Sequence, residues 1–373
     1  MTETYKRVVF VGPRQIRIDE VPIPEPGPRQ AVVRVRACAI CTWEQRMYSG
    51  QERFYPLAGG HEVSGELVKL GDKVFTDAQV GDRVSGGDEV SCEKVQQGDT
   101  VLTAAKVGDG VVAAMLTRCG YCESCRRGMN NICDNLRKPF HEADVVGPAG
   151  LAEYVLLDDY QLYKGANDVS YEKLCLAEPL GCVVRSVVKA DVEMGDNTVV
   201  VGAGIMGLLH LILLKQAGAR AIVSEVNPQR AAFAREMGAD AVIDPSEAPF
   251  RDQVMDLTGG RGADAIFCAL SVPAAVEATF GAVAKGGRIQ LYASIHPRGT
   301  KIPIDPNPFH SKEIVLTGTM SADKDDMRKA VGLIVHDLID LEPFISRVLP
   351  FARLEEALQA ALKPDTYRVI VTF

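Results

Sequence analysis

The sequence predicts an α/β protein, with a doubly wound parallel sheet and a strand-rich part beside it. Three observations carry this. From about Thr198, apolar strand-like runs (TVVVG, AIVSE, DAIFCAL, RIQLYAS) alternate with helical patterns (GLLHLILLKQAG, PQRAAFAREMG, PAAVEATFGAVAKGG). Such alternation builds a parallel sheet, each helix crossing back over it. The first 70 residues instead read as short strands, with alternating VVRVRAC and GHEVSGELVKLG and a proline-rich turn, PIPEPGP. After about Ser321 come two helical segments and a last strand, YRVIVTF.

At 373 residues the chain is long enough for two domains. An apolar content of 47% with moderate charge is that of an ordinary globular protein. The formal net charge of −8, with no block of basic residues, argues against nucleic-acid and anionic-membrane partners. MTETYKRVVF lacks the apolar core of a signal peptide, and no apolar run approaches the ~20 residues of a membrane span, so the expected compartment is the cytoplasm. In a reducing compartment, a tight cluster among the ten cysteines is better read as metal ligands than as disulfides.

Around Asp82 and on to Cys119 the phrases AQVGDRV, QQGDTV and AKVGDGV recur. Gly-Asp turns at Gly71, Gly81, Gly98 and Gly108 suggest a string of short hairpins, either a surface excursion or a wall of a cleft or subunit contact.

RCGYCESCRRGMNNICDN then places Cys119, Cys122, Cys125 and Cys133 in one short loop at C-x2-C-x2-C-x7-C spacing. Four thiolates close a tetrahedral site with no open coordination position, so this reads as a structural zinc site.

VVVGAGIMGLL gives Gly202, Gly204 and Gly207 as G-x-G-x-x-G between an apolar strand and a helix, with Ile205 and Met206 inside the motif. Its glycines allow a tight turn, close approach to a pyrophosphate and close helix–strand packing. The phosphates would sit at the helix N-terminus, where free N–H groups favour anions. Glu225 ends the next strand, 18 positions after Gly207, where a carboxylate accepts from ribose hydroxyls and repels a 2′-phosphate. NAD is therefore the expected cofactor, with Arg230 near enough to soften the preference.

A second metal site is suggested by Cys41 in VRACAICTWEQ, His61 and Glu62 in LAGGHEVSG, and Glu178 in LAEPLGCVVRSV. Sulfur, imidazole and carboxylate together suit zinc with one position left open for water or substrate.

The order of C-x-x-E, GGHEVSGE, GDRV, the four-cysteine loop, EPLG, VGAGIMGLL and REMGAD resembles the zinc-containing medium-chain dehydrogenases, closest to the sorbitol and threonine dehydrogenase branch. The resemblance implies a Rossmann domain over 157–320, inserted in a GroES-like catalytic domain formed by 1–156 with 321–373. It implies two zinc ions per chain, catalytic and structural, with Cys41 and His61 as catalytic ligands and Glu62 or Glu178 as the third. It also implies hydride transfer between NAD and a small alcohol, polyol or carbonyl substrate, in a homodimer or homotetramer. Glu44 matches the family's acid behind the zinc.

The chain departs from the family at one place. Where a Ser or Thr would relay the alcohol's proton stands Trp43, and indole donates a hydrogen bond but accepts none. Trp43 could stack on a substrate or lie in the core. Thr42, on a strand, would face away. Two other readings stand beside the leading one: a reductase of an activated double bond or carbonyl, and a non-catalytic NAD-binding protein. His310 is expected in a loop, and Cys38, Cys92, Cys175, Cys182 and Cys268 as small buried residues.

Overall fold

The structure, a computed structural model, describes residues 3–74, 105–136, 146–166 and 168–373. The N-terminal part of the chain supplies β1 (Thr4–Gly12), β2 (Gln15–Pro22), β3 (Gln30–Ala39), α1 (Thr42–Ser49), β4 (Leu57–Ala58), β5 (Glu62–Leu70), β6 (Gly110–Ala114), α2 (Glu123–Arg126), β7 (Tyr154–Asp158), β8 (Leu162–Lys164) and α3 (Tyr171–Leu174). The middle alternates α4 (Ala177–Lys189), β9 (Asn197–Val201), α5 (Ile205–Gln216), β10 (Arg220–Ser224), α6 (Pro228–Glu236), β11 (Ala241–Ile243), α7 (Phe250–Leu257) and β12 (Ala263–Cys268). It continues through α8 (Pro273–Thr279), β13 (Val283–Leu291), α9 (Pro306–Ser311) and β14 (Val315–Gly318). The chain closes with α10 (Lys324–Val335), β15 (Ile345–Pro350), α11 (Leu354–Ala361) and β16 (Arg368–Thr372).

Two compact units result, Met1–Glu178 with Asp323–Phe373, and Pro179–Ala322. The expected boundary at 156/157 falls inside the first unit. The reason is strand pairing: β7 pairs with β3, and β8 with β6, so the chain stays in that sheet until α4. The return lies between Ala322 and Asp323, two residues later than expected.

The second unit is a six-stranded, all-parallel sheet in the order β11-β10-β9-β12-β13-β14, the doubly wound order 3-2-1-4-5-6. Val199, Val200 and Val201 of β9 are all buried, as a strand covered on both faces requires. Val199 and Val201 pack with Ile222, Phe250, Val254, Ile266 and Ile289.

In the first unit a seven-stranded sheet has the path β15-β16-β3-β5-β6-β8, with β7 also on β3, beside a three-stranded sheet β2-β1-β4. Its core gathers Phe10, Val33, Val63, Leu67, Val111, Leu151, Leu358 and Val371. Both strands read from alternation, β3 and β5, are present.

Further differences from the sequence reading concern local structure. Residues 42–49 are helical, and Thr42 is exposed as a helix position and not as the back of a strand. His310 sits in the short helix α9 and is exposed. Cys38, Cys175 and Cys268 are buried, whereas Cys182 is half-buried. Gly71 follows β5 and Gly108 lies in the turn before β6; Gly81, Gly98 and Cys92 lie outside the described residues, with most of the 85–118 segment.

Candidate active site and metal centres

Cys41 follows β3 and is the N-cap of α1, with extended backbone (φ −68°, ψ 159°) and no capping bond from its sulfur. The sulfur is thus left free to point elsewhere. His61 and Glu62 open β5, where Glu62 pairs with Ala39 of β3. This pairing brings one ligand atom each from Cys41, His61 and Glu62 within 4.8 Å of one another. Gly60 makes the approach possible: its φ is +95°, and a Cβ there would meet the Leu151 nitrogen at 2.1 Å.

Glu44, in the first turn of α1 and fully buried, holds the imidazole. Its Oε1 accepts from the Gly60 N–H (2.8 Å) and the His61 Nδ1–H (2.9 Å). The Nε2 lone pair is thereby left for another partner, the arrangement that orients a histidine ligand. Burial pulls the His61 pKa down, but the Glu44 carboxylate and Cys41 outweigh it and hold it well above the usual value. Burial raises the Cys41 thiol, and His61 works against that rise.

Glu62 has a partner the sequence reading missed. Arg368 on β16 forks onto it, Nε to Oε2 at 2.8 Å and Nη2 to Oε1 at 2.7 Å, with both side chains buried. Such a pair is charge-neutral and directional. The only signal was a lone arginine in YRVIVTF. Glu178, in the first turn of α4, is not part of the cluster, though its charge acts on Arg368 together with that of Glu62. Trp43 is half-buried and stands against His61, ring centroids 5.8 Å apart at 64°, near edge-to-face.

The four cysteines of the loop also converge, with their sulfurs within 4.8 Å of one another and none in a disulfide. Sulfurs about 2.3 Å from one zinc ion at tetrahedral angles stand about 3.8 Å apart. The Cys122–Cys133 and Cys119–Cys133 separations are 3.8 and 3.6 Å. Backbone N–H groups of Cys122, Cys125 and Asn135 point at Cys119, Cys122 and Cys133 sulfurs (3.3–3.4 Å), as suits thiolates. The donor set fits a closed zinc site.

In the second unit Gly202 leaves β9 at φ +100°, and Gly204 is the N-cap of α5 with nothing near its Cα face. A Cβ on Gly207 would meet the Gly202 carbonyl oxygen at 1.8 Å, so the third glycine is a packing requirement. Ile205 and Met206 form the first turn of α5. Glu225 ends at this loop: its carboxylate accepts from the N–H groups of Ala203 (2.8 Å) and Asn227 (2.9 Å). Arg230 lies in the first turn of α6, its N–H bonded to the Asn227 side chain at 3.0 Å. An open helix N-terminus with a nearby carboxylate fits a dinucleotide. Beneath it is His210, which sequence reading passed over as one polar residue in an apolar helix. It is fully buried, with Nδ1–H donating to the Met206 carbonyl (2.7 Å) and Nε2 accepting from Ser186 (2.8 Å).

Comparison with known proteins identifies the family. Residues 206–336 match the zinc-binding dehydrogenase family, and residues 27–104 and 87–167 the alcohol dehydrogenase GroES-like domain. The chain is 30% identical to an L-threonine 3-dehydrogenase of Pyrococcus horikoshii over 94% of this chain and 93% of that one. It is 26% identical to a sorbitol dehydrogenase of Halalkalibacterium halodurans, over 97% and 96%. Among solved structures, a zinc-binding dehydrogenase from Sinorhizobium meliloti bound to NADP has a TM-score of 0.82 at 24% identity, with both chains fully covered. An alcohol dehydrogenase from E. coli complexed with NADH has a TM-score of 0.82 at 21% identity, again over both whole chains. No described helix is long and apolar enough to cross a membrane.

Proposed function

Because the chain belongs to the zinc-binding dehydrogenase family, and so is an NAD(P)-dependent zinc oxidoreductase acting on alcohols, we propose that it transfers hydride between NAD and a secondary alcohol, polyol or sugar derivative. The observation that carries this reading is the convergence of Cys41, His61 and Glu62, with His61 held by Glu44. Zinc there supplies Lewis acidity toward a substrate oxygen, and the nicotinamide supplies the hydride chemistry.

The third ligand in this reading is Glu62 and not Glu178, which stands outside the cluster. A carboxylate offers about four lone-pair directions, and the Arg368 fork uses two, so Glu62 keeps capacity to donate. Glu44 keeps the imidazole in the tautomer that can donate from Nε2. Trp43 can take no proton from the substrate, which leaves the relay to water or another group. Cys119, Cys122, Cys125 and Cys133 hold the second, structural zinc. The NAD preference rests on Glu225, whose charge disfavours a 2′-phosphate. We place the enzyme in the cytoplasm as a homodimer or homotetramer. Support for the assembly comes from the exposed Val315 and Leu316 on the edge strand β14.

The test is zinc per chain on unchelated protein, followed by steady-state turnover of polyols and secondary alcohols with NAD. About two zinc ions and NAD-linked turnover are expected. About one zinc, with reduction of activated double bonds, would instead support the reductase reading, which Trp43 alone favours. NAD binding with no turnover of any kind would leave a non-catalytic protein.

A further inference from the structure

We propose that Trp43 is the specificity-determining wall of the Cys41–His61 site, selecting alcohols that present a C–H-lined ring face beside the carbinol carbon. The inference deepens the zinc dehydrogenase reading above and rests on it.

Position supports it first. Cys41 caps α1 and Trp43 lies in its first turn, so one turn of backbone carries both the candidate ligand and the indole. The indole meets His61 at 5.8 Å and 64°, which leaves it beside the imidazole without stacking over it. It is only half-buried, so part of the indole that meets His61 remains exposed. The other side chains of that turn offer no such surface. Thr42 points to solvent, and Glu44 is fully buried beneath Gly60 and His61.

Chemistry supports it second. An indole accepts no proton and offers a single N–H donor, so most of what it presents at this place is apolar contact. Tryptophan gives a large apolar area at a small entropy cost, and it binds best to a flat C–H or aromatic face. A compact open-chain alcohol covers little of that surface, while a ring fixed through its hydroxyl oxygen covers much more.

The zinc-loaded enzyme with NAD is compared as wild type, Trp43→Phe and Trp43→Ser on cyclohexanol and 2-propanol. The expected result is a kcat/KM ratio, cyclohexanol over 2-propanol, that falls by about tenfold or more in Trp43→Ser and by less than about threefold in Trp43→Phe. An unchanged ratio in Trp43→Ser overturns the proposal. If that variant does not fold, the wild type decides alone, because Trp43 is the only tryptophan and its emission reports on this site. Replacing zinc with Co2+ should quench it, and cyclohexanol should then shift it saturably. Quenching without any response to cyclohexanol overturns the specificity role and leaves the metal reading standing. Absence of quenching removes the metal from His61, and the proposal with it.

Discussion

Asn130 and Asp323 are clamped together: the Asn130 backbone N–H reaches Oδ2 at 2.9 Å, and its side-chain amide reaches Oδ1 at 3.0 Å. Asn130 opens the 3-10 turn that leads into Cys133, and Asp323 is the N-cap of α10, in a capping box with Asp326. One buried carboxylate therefore secures both the cysteine loop and the first residue of the returning chain. Asn130→Ala keeps the backbone bond but removes the amide. It should cost about 1–2 kcal/mol, and amide exchange at Lys324–Met327 should quicken. Unchanged exchange there would show the clamp to be incidental.

In the zinc-free protein, Arg368→Met should leave Glu62 buried without its counter-charge, at a cost of about 3–5 kcal/mol. Arg368→Lys keeps the charge but not the fork and should lose about half as much. Denaturation midpoints would rank the three proteins. Equal stability of Met and Lys variants would mean that charge is not what Glu62 needs.

His210 sets a pH dependence. Burial pushes its pKa down to about 4, against an unfolded value near 6.5, so below 6.5 the unfolded chain takes up a proton that the folded chain refuses. Stability should be free of this effect above pH 6.5 and fall by about 3 kcal/mol in total as pH drops to 4. His210→Gln should flatten that slope in urea midpoints taken between pH 4.5 and 7. An identical slope in the variant would assign the loss to other groups.

Glu225→Gln removes the charge and keeps an acceptor for only one of the Ala203 and Asn227 N–H groups, which bond separate carboxylate oxygens. NADP use, measured as kcat/KM relative to NAD, should rise by roughly tenfold. No rise would move cofactor choice away from Glu225.

What the sequence disclosed follows a physical line. The runs TVVVG and DAIFCAL are strands buried on both faces, so their apolar character alone marks them, and the glycine motif is local by nature. The cysteine loop is equally local, its ligands spanning residues 119–133. Helix α1 was not legible: eight residues are too short for a period to show, and Trp43 and Tyr48 favour strands. Arg368 was not legible either, since its partner is 306 positions away and no pattern links YRVIVTF to GHE. The misplaced boundary near 157 has the same cause. Strands β7 and β8 are five and three residues long, and only their distant partners β3 and β6 show to which sheet they belong.

Strand β16 lies between β15 and β3, with the Ile40 N–H bonded to the Val369 carbonyl. During synthesis at about 5–20 residues per second, Pro179–Ala322 is complete and able to fold while this strand is still unmade. Until it emerges, the nascent chain carries an unpaired edge on β3 and an uncompensated carboxylate at Glu62. Chaperones would meet the protein in that interval, and a chain cut short by a few residues near position 368 should aggregate although almost all of its sequence is intact.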